Sequence, residues 1–302
     1  MAKRLISIKT VNNDILSGFA WEVDKPKGCI FIATGMEEYA GRYDSFAAFF
    51  NENGYNVYSI DYYGQGENVT SERELGIVPR SAFSKFVRVL DDLIKKYSIK
   101  GLPVIVFGHS MGSFIVQDFI QRYSNHLDKA IICGTDGPNS KFTYKIGYQL
   151  ARLVCKLRGE TRKGKFLRSL AIGAYAKSVK HRETDSDWLS YDKGNVERYI
   201  ADPKCGKGSS NGFYRELLKG NHRLYKTKFL NKINKDLKIL VPAGEEDPVG
   251  HKGKGPTKLV KLYKDLGIKD VTLEMYPHMR HEIHNEIGKE QVLKDFLEFI
   301  GK

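Results

Sequence analysis

Cysteine is scarce in this chain of 302 residues. The four present, Cys29, Cys133, Cys155 and Cys205, form no C-x-x-C pair. Cys29 and Cys133 stand in apolar runs, so reduced packing cysteines are expected rather than disulfides or a zinc site. Long apolar runs are missing too: nothing approaches the roughly 18 to 20 residues that a membrane helix needs. The opening MAKRLISIKT is basic, but no apolar stretch of signal-peptide length follows it. Internal repeats and low-complexity tracts are absent. A soluble, cytoplasmic protein is expected. With 41% hydrophobic and 28% charged residues, the balance is that of an ordinary globular protein. The length suits one large domain, or one domain with an insertion.

Acidic residues are the minority charge. There are 36 Asp and Glu against 49 Lys and Arg, a formal net charge of +13. Residues 135–225 alone hold 19 basic against 9 acidic residues, an excess of +10. No recognised nucleic-acid-binding motif accompanies this charge, so no nucleic-acid partner is expected. Peripheral contact with an anionic membrane, or a phospholipid substrate, is one reading of it. A solvated, Lys-rich surface is the plainer one.

What is present is a recurring unit. Arg4–Lys9 and Leu16–Val23 alternate and flank Asn12-Asn13-Asp14, which reads as a hairpin. Short apolar runs then recur at Cys29–Ala33, Val57–Ile60, Val104–Phe107, Ala130–Cys133, Ile239–Val241 and Val271–Met275. Helix-period segments lie between them, near 43–53, 81–97, 113–123, 258–266 and 289–300. Alternating strand and helix predicts a mostly parallel sheet covered on both faces. The alternation fails over 135–225, which is basic, aromatic-rich and helical in pattern. The expected organisation is a core of residues 1–134 and 226–302 with a helical cap at 135–225.

The stretch Val104-Ile-Val-Phe-Gly-His-Ser-Met-Gly-Ser113 contains G-x-S-x-G at Gly108–Gly112. The pattern alone is weak, but here a buried strand ends at Gly108 and an apolar-periodic helix follows Gly112. That context predicts a sharp elbow with Ser110 strained at a helix N-terminus, where developing negative charge is favoured. Ser110 is the expected nucleophile, with the Met111 N–H as one donor to the oxyanion.

A serine hydroxyl needs a base, and the base needs an orienting acid. After Ile239–Val241 three carboxylates compete, Glu245, Glu246 and Asp247. After Val271–Met275 three histidines compete, His278, His281 and His284. Spacing does not choose within either trio. Jointly, GHSMG, GEEDPVG and YPHMRHEIHNE resemble the monoacylglycerol lipase and lysophospholipase branch of the α/β-hydrolases, the serine aminopeptidase S33 type of domain. That branch carries HG-x-x-EH-x-x-RY, D-x-x-G-x-G-x-S, GHSMG, G-x-x-DP and a final Y-x-x-x-x-HE-x-x-NE.

The resemblance implies an α/β-hydrolase fold, with Asp247 as the acid, His281 as the base and the Met36 N–H as the second oxyanion donor. The chain departs from the pattern at Thr34 and Tyr39, where histidines are usual. Tyr63, Gln65 and Asn68 likewise replace Arg, His and Ser. These positions are expected to support loops, and Arg42 and Tyr43 to brace the first of them.

Trp188 and Tyr148 are candidates to line a substrate pocket in the cap. The expected activity is serine carboxylic ester hydrolysis through an acyl-enzyme, on a single-acyl lipid (monoacylglycerol or lysophospholipid) or a similar small ester, with no metal or cofactor. A peptidase, amidase or thioesterase with the same triad is the first rival. A catalytically idle lipid-binding or interaction module is the second.

Overall fold

A computed structural model describes residues 2–138 and 141–302. The hairpin is β1 (Ala2–Lys9) antiparallel to β2 (Ile15–Glu22). Then follow β3 (Gly28–Ala33), β4 (Tyr55–Ile60), β5 (Val104–His109), β6 (Lys129–Cys133), β7 (Lys238–Gly244) and β8 (Asp270–Tyr276). They form one sheet in the order β1-β2-β4-β3-β5-β6-β7-β8. β2 meets β4 antiparallel, and from β4 onward neighbours run parallel.

β3, β4 and β6 are buried along their whole length, which is why they read as continuous apolar runs. Successive side chains still part to opposite faces. Ile30, Ile32, Ile105 and Phe107 enter the layer built by Phe46 and Phe50 of α1 (Asp44–Glu52) and Leu293 and Phe296 of α10 (Lys289–Gly301). Phe31, Ala33 and Val106 enter the other layer. That layer is filled by α2 (Ala82–Tyr97), α3 (Met111–Tyr123) and, later in the chain, the helix Lys254–Asp265. In α2 the buried Phe83, Phe86, Val87, Leu90, Leu93 and Ile94 recur at helical spacing and form a single inward stripe.

Between β6 and β7 the chain forms α4 (Lys141–Arg158), α5 (Lys165–Ser178), α6 (Lys193–Ala201) and α7 (Asn211–Leu224). It returns to the sheet through the short α8 (Thr227–Leu230), and Lys254–Asp265 is α9. The inserted helices have two small apolar clusters of their own. One gathers Ile172, Ala176, Trp188, Leu189 and Tyr199 around Val249 of the β7–α9 loop. The other gathers Ala151, Val154, Leu167 and Tyr214. Met36, from the loop after β3, packs against both. The helices are therefore joined to the sheet's loops through apolar contact at the place where the loops converge.

Not every cation of the basic stretch 135–225 faces outward. Lys163 turns inward and donates from Nζ to the carbonyls of Leu75 (2.9 Å), Lys207 (3.2 Å) and Gly208 (2.8 Å). Beside it Gly164 N donates to Ser209 O at 2.8 Å. One ammonium thus ties the start of α5 to two loops. Lys163→Met leaves three carbonyls without their donor and is expected to cost about 1.5–3 kcal/mol in urea unfolding. Arg162→Met, on an exposed neighbour, should stay within about 0.5 kcal/mol. Equal effects would contradict the cage.

Candidate active site

β5 ends at His109 and α3 starts at Met111, so Ser110 alone makes the turn. Its φ is 55° and its ψ −118°, a conformation that costs of order 1–3 kcal/mol and persists only where surroundings over-determine it. Ser110 N donates to Cys133 O of β6 at 3.1 Å, and Ser113 N and Oγ both donate to Ser110 O, at 3.0 and 2.6 Å. The turn is tight enough to exclude side chains. A Cβ on Gly112 would lie 1.8 Å from Ala33 O, which explains the second glycine of the motif.

The loops after β7 and β8 separate the two trios. Asp247 is fully buried, accepts from Val249 N at 2.8 Å and faces His281 Nδ1 at 3.0 Å. Glu245 is exposed, and Glu246 is half-exposed and accepts from Tyr191 OH at 2.5 Å. His281 is buried with Trp188 packed on its ring at 5.0 Å. His278 is almost wholly exposed, 3.8 Å from Glu246.

His284 is buried and stacked on Tyr43, with ring centres 5.5 Å apart. Burial and the nearby His109 charge push its pKa down to about 3, so it is a neutral core ring. The Asp247 carboxylate facing Nδ1 favours the tautomer of the His281 ring that carries its proton there. Its Nε2 is then a lone-pair acceptor, and it is buried without a hydrogen-bond partner among the described residues.

His281, Ser110, Met111, Gly35 and Met36 line one cavity of about 440 Å³. Its walls come mostly from apolar side chains: Phe114, Leu150, Leu167, Ile172, Leu217 and Trp188 among them. Trp188 is thus placed at the site. Tyr148 is not among the lining residues; Gly147 and Leu150 of the same helix are. A step of one residue turns a helix by about 100°, enough to carry Tyr148 off the inner face. The backbone N–H groups of Met36 and Met111 donate to no acceptor among the described residues.

Beneath the site lies a buried charge cluster. Arg42 Nη1 and Nη2 clasp the two Glu282 oxygens at 2.7 and 2.8 Å, and Nη1 also reaches Glu38 at 2.8 Å. Glu38 accepts from Gly35 N (2.5 Å) and Tyr43 OH (3.0 Å), and lies 3.3 Å from His109 Nδ1. The other nitrogen of His109 is 3.3 Å from His281 O. Asn195 of α6 donates to Glu282 at 2.8 Å. Burial alone would raise the Glu38 pKa, but the His109 hydrogen bond and the Arg42 charge outweigh it and hold it at about 2. Glu282 is likewise held well below its ordinary range by Arg42, against burial.

Arg42 and Tyr43 therefore brace the loop, as expected of them. Three of the five departures from the family pattern also serve loops: Gln65 Nε2 donates to Gly35 O at 2.9 Å, Tyr63 OH to Asp14 at 2.7 Å and Asn68 Nδ2 to Ser17 O at 3.2 Å, whereas Thr34 Oγ1 is buried with no hydrogen-bond partner among the described residues. The reach of Arg42 to Glu282, 240 residues on, left no trace in local spacing. The family pattern was the one signal that held both residues.

The profile of the family described as serine aminopeptidase, S33, matches residues 24–288. The chain belongs to that family. It is 26% identical over 278 residues to phospholipase YtpA of Bacillus subtilis, covering 91% of this chain and 96% of that one. It is 30% identical over 270 residues to the human monoglyceride lipase, covering 87% and 78%. Among solved structures, a carboxyl esterase from Bacillus coagulans superposes with a TM-score of 0.88 at 24% identity, covering 100% of this chain and 98% of that one. A monoglyceride lipase from Saccharomyces cerevisiae gives 0.76 at 19%, covering 100% and 95%. The fold is the α/β-hydrolase fold, and the protein is a hydrolytic enzyme of that type related to the monoglyceride lipases.

The charge cluster sets an acid limit. Glu38 and Glu282 have folded pKa values below the ordinary 4.5. Their stabilisation is complete above pH 4.5 and is lost as pH falls toward 2. His109 has the opposite sign. Burial would lower its pKa, but the Glu38 hydrogen bond and charge raise it above 6.5, so its contribution is present below 6.5 and fades as pH rises through the folded value. Thermal unfolding followed from pH 3 to 9 should show a steep acid limb, and Glu38→Gln should flatten that limb. Glu38→Gln should also cost about 3–5 kcal/mol at neutral pH, because it leaves buried Arg42 less compensated. An unchanged acid limb would remove Glu38 from this role.

Proposed function

We propose that this protein is a serine carboxylic ester hydrolase that works through an acyl-enzyme on a single-acyl lipid, either a monoacylglycerol or a lysophospholipid. The observation that carries the reading is that a strained Ser110 and the His281 of a buried His281–Asp247 couple line one mainly apolar cavity. The names of the relatives point the same way: phospholipase for one, monoglyceride lipase for others.

Ser110 Oγ attacks the acyl carbon and His281 Nε2 takes its proton. Asp247 holds the ring with Nδ1–H inward and stabilises the imidazolium. The oxyanion meets Met36 N–H from the loop and Met111 N–H at the start of α3, where the helix dipole adds to the donors. His281 returns its proton to the leaving alcohol. Water activated by the same nitrogen then attacks the acyl carbon and frees the acid. A cavity of about 440 Å³ lined mainly by apolar side chains suits one acyl chain better than two, within the usual range for small ligands.

The cap reading extends to a lipid surface. Ile146, Leu153 and Leu157 form an exposed apolar stripe along α4, and Phe166 and Leu170 are exposed on α5. Leu170 is both exposed and part of the cavity wall. Exposed Arg152, Lys156, Arg158 and Lys165 flank the stripe. Apolar residues rimmed by cations favour an anionic interface, from which an acyl chain would enter the cavity.

A fluorophosphonate probe should label the native protein and fail on Ser110→Ala; intact labelling would remove the nucleophile assignment. Asp247→Asn should lower turnover of p-nitrophenyl butyrate by about 10⁴-fold, Glu245→Gln hardly at all. His281→Ala should abolish turnover and His278→Ala should spare it. His284→Ala should act through stability, since that ring is in the core. Binding to phosphatidylglycerol vesicles should weaken steeply with salt. Leu153→Ser with Leu157→Ser should weaken it further and leave soluble-ester turnover intact. No binding at low salt would return the basic face to plain solvated surface.

A further inference from the structure

Glu37 follows Met36, at a position that the family pattern leaves unspecified. It is nevertheless buried, its side chain 4% exposed, and sits at φ 59°, where few non-glycine residues go. The hydrogen bonds its carboxylate accepts come from the inserted segment. Arg168 of α5 donates from Nε and Nη2 at 3.3 and 3.2 Å, Tyr214 OH of α7 at 3.1 Å, and Ser209 Oγ at 3.4 Å. The Glu37 carbonyl accepts from Gly206 N, also in that segment, at 3.0 Å.

On the other side of Met36, Gly35 N is held by Glu38, which is anchored in the core by Arg42 and Tyr43. The Met36 peptide hangs between one anchor in the core and one in the insertion. Glu37 itself does not line the cavity, so any effect it has on chemistry passes through the backbone it fixes.

We infer that Glu37 is a positioning residue through which the inserted helices set the oxyanion loop. With α5 and α7 seated, the Arg168 and Tyr214 bonds to Glu37 aim the Met36 N–H at the reacting carbonyl; displaced helices release it. This rests on the proposed roles of Ser110 and Met36. The insertion then does more than cover the cavity: it completes the electrostatic half of the site. The chemistry that depends on it is stabilisation of the tetrahedral oxyanion, so the effect belongs in kcat rather than in substrate affinity.

The test is a cycle of kcat and KM for p-nitrophenyl butyrate in the wild type, Glu37→Gln, Arg168→Gln and the double variant, with thermal unfolding alongside. In Glu37→Gln, kcat should fall about 10- to 100-fold, the effect of misplacing a group by around 1 Å, while KM moves by no more than about threefold. The double variant should lose no more than its worse single parent, because both substitutions break one contact. Tyr214→Phe and Ser209→Ala each remove one hydrogen bond and leave the ion pair, and should lower kcat by a smaller factor; Ser209 lies outside the cavity lining, unlike Tyr214, so its variant carries the test if Glu37→Gln folds poorly. Unchanged kcat in these variants, or losses that multiply in the double variant, overturns the inference. Turnover surviving in Ser110→Ala overturns the assignment beneath it instead, so the two failures are told apart.

Discussion

The site rests on one guanidinium. Arg42 is nearly buried, yet it binds Glu38 of its own loop and Glu282, 240 residues further along the chain. A buried ion pair adds little net stability over an apolar pair of equal volume, but losing one partner strands a charge in a low dielectric. The cluster is therefore weak as a source of stability and strong as a constraint. The observed arrangement of the loops after β3 and β8 satisfies it. Glu38 passes that constraint to Gly35, next to the Met36 N–H, and Glu282 passes it to His281, its neighbour in the chain. His109, between Glu38 and the His281 carbonyl, closes the ring.

The strained serine fits the same scheme. A residue at φ 55° in a turn that admits no side chain at Gly108 or Gly112 is expensive to hold, and the parallel sheet supplies the rigidity. Ser110 N is pinned to β6, and α3 packs so closely that its second residue touches the end of β3. The loops after β3, β7 and β8, which carry Met36, Asp247 and His281, all sit at the C-terminal ends of parallel strands, where α/β sheets place their ligands. The inserted helices then enclose the space above, and Met36 is apolar filling for both of their small cores.

Much of this was legible in the chain. The strands announced themselves because burial on both faces demands continuous apolar runs, and the elbow because its glycines are required by backbone contact at the turn. Spacing showed the two trios, and the resemblance picked Asp247 and His281 from them. What separated their members was exposure: His278 and Glu245 point to solvent, His284 stacks inside the core, and His281 and Asp247 meet. Helical phase removed Tyr148 from the cavity lining, where Trp188 stands. Lys163 read as one more surface cation, and its carbonyl cage lies far from it in sequence.

Sequence by itself determined the class of fold, the serine at the turn and the order of strands and helices, because those depend on periodicity and on contacts within a few residues. Tertiary structure decided which histidine faces the cavity, which carboxylate holds it, and that Glu37 and Arg42 tie loops to distant helices and loops. Those are properties of side chains brought together by packing across long loops. The energies that select them, charge burial and ring stacking, exist only once water has been excluded.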